Sequence, residues 1–334
     1  MGFPEPEASL SAMATPHPAI DVDLAAIRAA HARIVPHIHR TPVLSSAALD
    51  DEFGALLFFK CENLQRVAAF KARGACNAVL SLSAVEAARG VVTHSSGNHG
   101  AALAWAAAAR GIPAWIVMPS NAAQVKRDAV KDYGGTIHFC EPSVAAREAA
   151  CAAVASETGA ALIHPYNDWR VIAGQGTAAL ELLLDEPELD AIITPVGGGG
   201  LLSGTAIAAK GLRPSIKVYG AEPAGADDAY RSLRAGHIIP QNDPHTIADG
   251  LRSSLGEKTF AVLSSSVDAV ETASEASIVR AMRLLWDKLK MIVEPSSAVP
   301  VAMLLERKIS VESLRVGVIL SGGNVDLDRL PWQS

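Results

Sequence analysis

The stretch that decides the fold is AIITPVGGGGLLSGTAIAAK, residues 191–210. It begins with a β-rich apolar run, Ala191–Val196, passes through the glycines Gly197, Gly198, Gly199 and Gly200, and continues into a helical pattern of small apolar residues. Consecutive glycines allow successive backbone N–H groups to converge on an anion, and the N-terminus of the following helix adds a favourable dipole. The stretch therefore predicts a strand, a phosphate-binding turn and a helix, with a merely flexible turn as the alternative.

The same alternation of strand and helix extends along the chain on both sides of this stretch. Before it, β-rich runs at 91–93, 114–118 and 136–139 alternate with alanine-rich helical runs at 101–110, 122–132 and 144–158. After it, strands are expected at 217–221 and 316–320, and helices at 274–289 and 297–307. Such alternation is typical of parallel sheets covered by helices, so we predict an open, doubly wound α/β fold.

The composition favours a globular protein that binds a small molecule. Of the 334 residues, 49% are hydrophobic, which is enough apolar material for two domains. The formal charge of −6 and the lack of Lys/Arg runs argue against a nucleic-acid partner. No apolar run reaches the roughly 20 residues of a membrane span, so no membrane partner is expected. Isolated cysteines, and an opening segment Met1–Ile20 without the apolar run of a signal peptide, indicate a cytoplasmic protein.

The glycine turn does not follow the patterns of nucleotide-binding turns. It is neither GxGxxG with an acidic residue further on nor GxxxxGK[ST], so a single phosphate monoester fits it better. Pyridoxal 5'-phosphate (PLP) carries such a monoester, and its aldehyde needs a lysine amine for a Schiff base. The candidate is Lys71, in the small-residue stretch AFKARGA (69–75), which could open a helix beside a buried site. The alternative is an ordinary solvated lysine.

Two further loops follow predicted strands, where sites lie in open α/β sheets. They are THSSGNHG at 93–100 and SGGN at 321–324. The hydroxyls, amide and backbone N–H groups of the first loop suit a carboxylate or phenolate ligand. Capping of a helix by Ser95 or Ser96 is the structural alternative, and the two roles are compatible.

The motifs FKARGA, SSGNHG, AGQGT, PVGGGG, AEP, IADG and LSGGN occur in this order over residues 24–325. With them the chain resembles the fold type II PLP enzymes (tryptophan synthase β-like), and specifically their serine racemase and serine/threonine dehydratase branch. The resemblance implies two open, twisted, mostly parallel sheets flanked by helices. It also implies a large PLP-anchoring domain, 1–88 and 168–334, a small mobile domain, 89–167, that closes over the substrate, and a homodimer.

The resemblance further implies how the cofactor is held. Lys71 would form the Schiff base, Phe70 would pack against the ring, Asn98 would contact the ring hydroxyl, Gly197–Gly200 would hold the phosphate and Ser321 would face the pyridine nitrogen. The amine of Lys71, freed by the substrate, would remove the Cα proton, and the β-hydroxyl would then leave. The products are a 2-oxo acid and ammonia.

The implied substrate is a small amino acid. Its carboxylate would meet Ser95, Ser96, Asn98 and His99, with Arg147 and Ser253 closing over the outer end. Arg147 in the cleft would favour an acidic substrate side chain, whereas on the solvated face of its helix it would have no such role. Ser96 matches the serine that in serine racemases exchanges a proton on the opposite face of the substrate.

A divalent cation site is implied by Glu222-Pro-Ala-Gly-Ala-Asp-Asp228, which resembles the cation loop of the racemase branch. Glu222, Asp228 and the carbonyl of Ala226 would be its ligands. An oxygen set of this kind suits Mg²⁺, and Ca²⁺ or Mn²⁺ are alternatives. The alternative is an acidic surface turn that binds no cation.

The chain departs from the family pattern at two places that flank the expected pocket. Val67-Ala68-Ala69 replaces the Thr-Gly-Ser that often precedes Phe-Lys, and Tyr166-Asn167-Asp168-Trp169 differs from the equivalent racemase loop. The predicted function is a PLP-dependent ammonia-lyase, a dehydratase of L-serine, L-threonine or 3-hydroxyaspartate. The alternative is a serine racemase with dehydratase side activity; a non-catalytic binding protein and a β-replacement enzyme are weaker options.

Overall fold

A computed structural model describes residues 18–95 and 97–333 of the chain. Most of the opening segment, for which no signal peptide is expected, lies outside these residues, and so does Ser96. The α-helices are α1 (Leu24–Ile34), α2 (Ala47–Phe53), α3 (Lys71–Leu80), α4 (Ala84–Ala88), α5 (Asn98–Arg110), α6 (Gln124–Asp132), α7 (Val144–Thr158), α8 (Trp169–Asp185), α9 (Gly200–Leu212), α10 (Asp228–Ala235), α11 (Glu257–Ser266), α12 (Glu275–Leu284) and α13 (Pro295–Leu305). The strands are β1 (Val43–Leu44), β2 (Leu56–Cys61), β3 (Val91–His94), β4 (Ala114–Pro119), β5 (Thr136–Cys140), β6 (Ala161–Leu162), β7 (Ala191–Pro195), β8 (Lys217–Pro223), β9 (Ala269–Ala273) and β10 (Arg315–Leu320).

The strands form two sheets. The large sheet has six strands in the order β1-β2-β10-β7-β8-β9, and the small sheet has four in the order β5-β4-β3-β6. All pairs are parallel except β1 with β2. Helices flank both sheets, so the predicted α/β class with two mostly parallel sheets is confirmed.

Alternate residues of the central strands face opposite helical layers. Ile192 packs in the core below α8 and α9, whereas the next residue, Ile193, packs in the core below α12 and α13. Successive side chains of a strand point to opposite faces. A strand buried on both faces therefore needs a continuous apolar run, which is what residues 191–196 provide.

Small residues bring the helices on one face of the large sheet into close contact. A Cβ placed on Gly174 of α8 would lie 2.6 Å from the Cα of Gly74 in α3, and one on Gly204 of α9 would lie 2.4 Å from the backbone N of Gly176. Glycine at these positions lets α3, α8 and α9 approach to backbone contact. This packing fixes the start of α3, which is the position of Lys71.

Two predicted elements differ in detail from the structure. The helix expected at 274–289 is α-helical only over Glu275–Leu284, and a π-helical turn, Leu285–Leu289, continues it. The helix expected at 297–307 begins two residues earlier, at Pro295. Proline fits the first turn because its missing N–H has no partner there in any case.

The strands of the small sheet all lie within the range predicted for the small domain, 89–167. The division into a fixed large domain and a mobile small one stays a prediction. Within the described residues, the helices are all too short or too polar to cross a membrane.

Candidate active site

Lys71 is the first residue of α3, as the small-residue stretch around it predicts. The segment before it is tied to the end of β10, because the N–H of Phe70 donates to the carbonyl of Ser321 (2.9 Å). The Lys71 amine donates to the carbonyl of Pro165 (3.1 Å) and lies 5.0 Å from the centre of the Phe70 ring. Burial lowers the pKa of Lys71 to about 8, against the opposing charge of Glu294. A lysine with a lowered pKa is a good nucleophile and proton acceptor.

The backbone just before Lys71 is strained. Val67 and Ala68 both have positive φ, 53° and 50°. This left-handed region is costly for residues with a Cβ, and most of all for a β-branched residue. Hydrogen bonds hold the segment there: Gly323 N–H donates to the Ala68 carbonyl and Asn324 Nδ2 donates to the Val67 carbonyl, both at 2.9 Å.

A buried cluster of charges holds α3 from the other side. The guanidinium of Arg73 donates from Nε to Glu62 Oε2 (2.7 Å) and from Nη1 to Glu181 Oε1 (2.9 Å). Lys60 Nζ donates to the other oxygen of Glu181 at 2.7 Å, and all four side chains are fully buried. Two cations and two carboxylates balance in charge, as burial of ions requires. The cluster joins β2, α3 and α8 two residues from Lys71.

The predicted phosphate-binding turn has free donors in the protein interior. Gly197–Gly200 are all buried, and their backbone N–H groups have no hydrogen-bond acceptor among the described residues. Buried N–H groups are nearly always paired, so four such groups at the start of α9 fit an anionic ligand. Gly199 has φ +87°, and a Cβ on Gly198 would lie 2.3 Å from the ring of Tyr166. The turn therefore fits a phosphate group, and it requires glycine.

Asn98, at the start of α5, connects the two sheets. Its Nδ2 donates to both carboxylate oxygens of Glu294 (3.0 Å each), and its Oδ1 accepts from Asn324 Nδ2 (3.0 Å). Glu294 is 5% exposed, and burial raises its pKa to about 7 in spite of the hydrogen bond from Asn98. A buried carboxyl with such a pKa, within range of the charge of Lys71, is typical of an active site.

The loop after β3 brings two more of the predicted residues to this place. Ser95 Oγ accepts from the N–H of Gly97 (3.2 Å), so this serine shapes the loop before α5. His99 is buried, with Nε2 3.4 Å from the carbonyl of Ile163 and with Nδ1 unpaired among the described residues. Burial, together with the charge of Lys71, holds the pKa of His99 well below its usual range, so the ring is neutral.

The comparisons with known proteins identify the family. The model of the family described as "Pyridoxal-phosphate dependent enzyme" matches residues 34–322. The chain belongs to this family. It is 53% identical to the beta-hydroxyaspartate dehydratase of Paracoccus denitrificans, over 91% of this chain and 96% of that protein. It is also 53% identical to the serine racemase of Arabidopsis thaliana, over 93% of this chain and 96% of that protein.

A solved structure supports the same relationship. Maize serine racemase superposes with a TM-score of 0.90 and 51% identity, covering 93% of this chain and 96% of that chain. The resemblance inferred from the seven ordered motifs is therefore confirmed, and so is PLP as the cofactor. The residues proposed to hold PLP fit it, since the structure offers a partly buried amine and free buried N–H groups for its two anchoring points.

The two residues expected at the outer end of the substrate of this PLP enzyme are Arg147 and Ser253. Arg147, on α7, is partly buried. The pKa of His94 is lowered first by burial and then by the charge of Arg147, whereas burial raises the pKa of Tyr166 to about 12 against the smaller opposing effect of Arg147. Its Nε donates to the carbonyl of Ser143 at 3.4 Å, one turn earlier. Ser253 is exposed, and no hydrogen bond of its side chain is described. A substrate role for either residue stays a prediction.

The expected cation ligands of the enzyme are buried acids rather than an acidic surface turn. Glu222 and Asp228 are both 0% exposed, and burial raises both pKa values, that of Asp228 to about 7. Glu222 accepts from the N–H groups of Ala229 and Tyr230 (2.9 Å each), while Asp228 Oδ1 has no partner among the described residues. The described residues include no cluster of three or more His, Cys, Asp or Glu side chains suited to a metal. A cation here would need the Ala226 carbonyl and water as further ligands.

Sequence reasoning missed three residues of the enzyme's site. Glu294 stands alone in the sequence before a proline, a position that resembles an ordinary helix start. Tyr166 and His164 lie in the loop between β6 and α8. Tyr166 belongs to the segment that departs from the racemase pattern, whereas His164 has no signal in the sequence. An acid next to a proline helix start inside an apolar stretch could have drawn attention to Glu294, but nothing in the local sequence indicates that it pairs with Asn98.

Proposed function

We propose that this enzyme is an ammonia-lyase that dehydrates a small 3-hydroxy amino acid to a 2-oxo acid and ammonia. The observation that carries the proposal is the partly buried amine of Lys71, which donates to the carbonyl of Pro165 and has a pKa of about 8. A non-catalytic binding protein would have no use for a reactive amine at this position.

The residues of the chain have the following proposed roles. Gly197–Gly200 bind the phosphate of PLP through their free N–H groups, Ser321 faces the pyridine nitrogen, Phe70 packs against the ring and Asn98 contacts the ring hydroxyl. PLP, when bound, withdraws electrons from the Cα of the amino acid attached to it. Lys71 accepts the Cα proton, which it can do because its amine is largely unprotonated above pH 8. Loss of the β-hydroxyl as water and hydrolytic release of ammonia complete the balance.

We propose 3-hydroxyaspartate as the preferred substrate. The 53% identity to the Paracoccus dehydratase supports it. Partly buried Arg147 on α7 is the proposed partner of the second carboxylate. A guanidinium can hold a second carboxylate by two hydrogen bonds. Ser95, Asn98 and His99 would meet the α-carboxylate, with Ser253 at the rim.

Serine racemisation is the second candidate function, supported by the 53% identity to the Arabidopsis serine racemase. In that case Ser96 would exchange a proton on the face of Cα opposite Lys71. A divalent cation at Glu222, Ala226 and Asp228 is also proposed, with Mg²⁺ first and Ca²⁺ or Mn²⁺ as alternatives. A homodimer in the cytoplasm completes the proposal.

One assay tests the function directly. The purified enzyme with Mg²⁺ is given L-serine, D-serine, L-threonine or L-threo-3-hydroxyaspartate, and oxo-acid release is followed together with chiral composition. We expect the highest kcat/KM for oxo-acid release from 3-hydroxyaspartate. If D-serine forms from L-serine faster than oxo acid does, racemisation is the main activity. If none of the four substrates gives a product, both the dehydratase and the racemase hypotheses are contradicted.

The substrate side chain is tested by Arg147→Met. We expect kcat/KM for 3-hydroxyaspartate to fall by a factor of about 10 to 100, because a carboxylate loses a charge-assisted partner, while kcat/KM for L-serine changes little. Arg213→Met, at the C-terminal end of α9, is the matched control. An equal fall in kcat/KM for both substrates would mean that Arg147 does not bind the substrate side chain.

A further inference from the structure

The loop between β6 and α8, residues 163–168, lies between the two proposed anchoring points of the cofactor. Its Pro165 carbonyl accepts the hydrogen bond from the Lys71 amine at 3.1 Å. The next residue, Tyr166, places its ring where a Cβ on Gly198 would lie, at 2.3 Å. One turn of this loop therefore contacts both the amine and the phosphate-binding turn.

The side chain of His164 holds this turn. Its Nδ1 accepts from the backbone N–H groups of Tyr166 (3.3 Å) and Asn167 (3.0 Å). Its ring also stands edge-on to the rings of Tyr166 and His94, with centroids 4.6 and 5.3 Å apart. A ring nitrogen that accepts two hydrogen bonds carries no proton, so the proton of His164 is on Nε2 and the ring is neutral.

The surroundings of His164 favour this neutral form. Burial, followed by the charges of His94 and Lys71, lowers the pKa of His164 to about 4. Asp168 acts in the opposite direction and Lys258 in the same one. The ring therefore stays neutral at any pH near 7, and its hydrogen bonds to the loop are permanent.

We propose that His164 is a positioning residue that fixes the Lys71 amine and the phosphate-binding turn relative to each other. It does so by holding the Pro165 carbonyl against the amine and the Tyr166 ring against Gly198. The inference rests on the proposed function only in taking Lys71 and Gly197–Gly200 as the anchoring points of PLP.

Three variants separate the acceptor atom of His164 from the bulk of its ring. His164→Asn places Oδ1 where Nδ1 lies, His164→Gln carries its oxygen one bond further out, and His164→Phe keeps a ring without an acceptor. PLP is titrated into the cofactor-free full-length protein, and the absorbance of the lysine-bound cofactor gives an apparent Kd. We expect His164→Asn to stay within about threefold of the wild type and His164→Phe to bind about tenfold or more weakly, as loss of two hydrogen bonds implies.

A second measurement reports on the amine itself. Pyridoxal, which has no phosphate, reacts with Lys71 of the cofactor-free protein in a pH-dependent manner. The hydrogen bond to Pro165 favours the ammonium form, so its loss lowers the pKa of Lys71. We expect the pH midpoint of the reaction to move down in His164→Phe and to stay in place in His164→Asn. A purely structural residue would change the melting temperature without moving this midpoint.

His138→Phe is the matched control, since His138 lies on β5 and its Nε2 has no partner among the described residues. The proposal would be overturned if His164→Phe had the wild-type Kd for PLP and the wild-type pH midpoint for pyridoxal. It would also be overturned if His164→Asn and His164→Phe bound PLP equally weakly. If His164→Phe does not fold, the test is the comparison of His164→Asn with His164→Gln. Equal Kd values of these two variants for PLP would then overturn the proposal. Failure of the proposed function is distinct, because it would appear as missing turnover in a wild type that still binds PLP.

Discussion

The Lys71 amine depends on its immediate surroundings for its reactivity. Solvated lysines are protonated at neutral pH, whereas burial lowers the pKa of Lys71 to about 8. The charge of Glu294 limits this shift, because it favours the ammonium. The balance leaves a useful fraction of free amine near neutral pH.

Lys71→Ala is expected to abolish both the absorbance of lysine-bound PLP and the release of oxo acid. Lys71→Arg keeps the positive charge but should fail equally, because a guanidinium forms no stable Schiff base. Lys308→Ala, on a partly exposed lysine, is the control that retains both signals. Borohydride trapping and mass spectrometry locate the linked residue, and cofactor trapped on another lysine would refute the assignment.

Ala68 occupies a backbone conformation that suits glycine, with φ 50°. We expect Ala68→Gly to stabilise the fold by up to about 1 kcal/mol, because relief of left-handed strain exceeds the entropy that glycine adds to the unfolded chain. Urea unfolding of the cofactor-free protein measures the free energy. Ala153→Gly, at an exposed position in the middle of α7, should instead lower stability by about 1 kcal/mol. A destabilised Ala68→Gly would mean that the strain is absent in solution.

At the scale of elements, glycine contacts set the distances between α3, α8 and α9. Gly174→Ala would bring a Cβ within 2.6 Å of the Gly74 backbone, which has no side chain to move aside. We expect a loss of about 3 kcal/mol, the upper end of over-packing costs, together with weaker PLP binding as α3 shifts. Gly97→Ala, whose Cβ meets nothing within 4 Å, is the stability control. Equal melting temperatures for the two variants would contradict this account of the packing.

The connection between β8 and α10 places two buried carboxylates together with no cation side chain bonded to either among the described residues. A cation bound there stabilises the fold by mass action, by about 2.7 kcal/mol at roughly 100 times its Kd. We therefore expect Mg²⁺ to raise the melting temperature of the wild type by several degrees and a chelator to reverse this. Asp228→Asn should lose the response, and Asp243→Asn, at an exposed aspartate, should keep it. An unchanged response in Asp228→Asn would place the cation elsewhere.

At the scale of the whole molecule, an apolar core shared with α1, α3 and α8 and a set of polar contacts join the small sheet and its helices to the rest of the described chain. Asn98 bonds to Glu294 and Asn324, and Lys126 of α6 forms an ion pair with Asp249. The Lys126–Asp249 pair is partly exposed, so it contributes at most about 1 kcal/mol. The mobility of the small domain, 89–167, stays a prediction.

The pKa of Glu294 should make the stability of the cofactor-free protein depend on pH. Because the folded pKa of about 7 lies above the unfolded value, the unfolded state loses its proton first, and stability falls as pH rises from about 4.5 to 7. Glu294→Gln mimics the protonated form, so its advantage over the wild type should grow across this window to the order of 3 kcal/mol. Urea unfolding at several pH values measures it, with the exposed Glu157→Gln as control. If the difference in unfolding free energy between Glu294→Gln and the wild type were the same at every pH, the pKa of Glu294 would not be raised in the folded protein.

The sequence by itself determined the fold class, the glycine turn, Lys71 at the start of a helix, and PLP. These follow from local requirements: a doubly buried strand needs an apolar run such as 191–196, and a turn that offers backbone N–H groups needs glycine. Such requirements are written within a few neighbouring residues, so they can be recognised before the chain is folded.

The tertiary structure alone decided which distant residues act on these local features. Asn98 donates a hydrogen bond to Glu294, 196 positions away in the sequence, and Lys71 donates one to the carbonyl of Pro165, 94 positions away. Charge interactions and pKa shifts depend on distance and burial after folding, and neither is encoded in sequence spacing. The strain at Ala68, the pairing of Arg73 with Glu181 and the role of His164 therefore emerge only when the two sheets and α8 are in place.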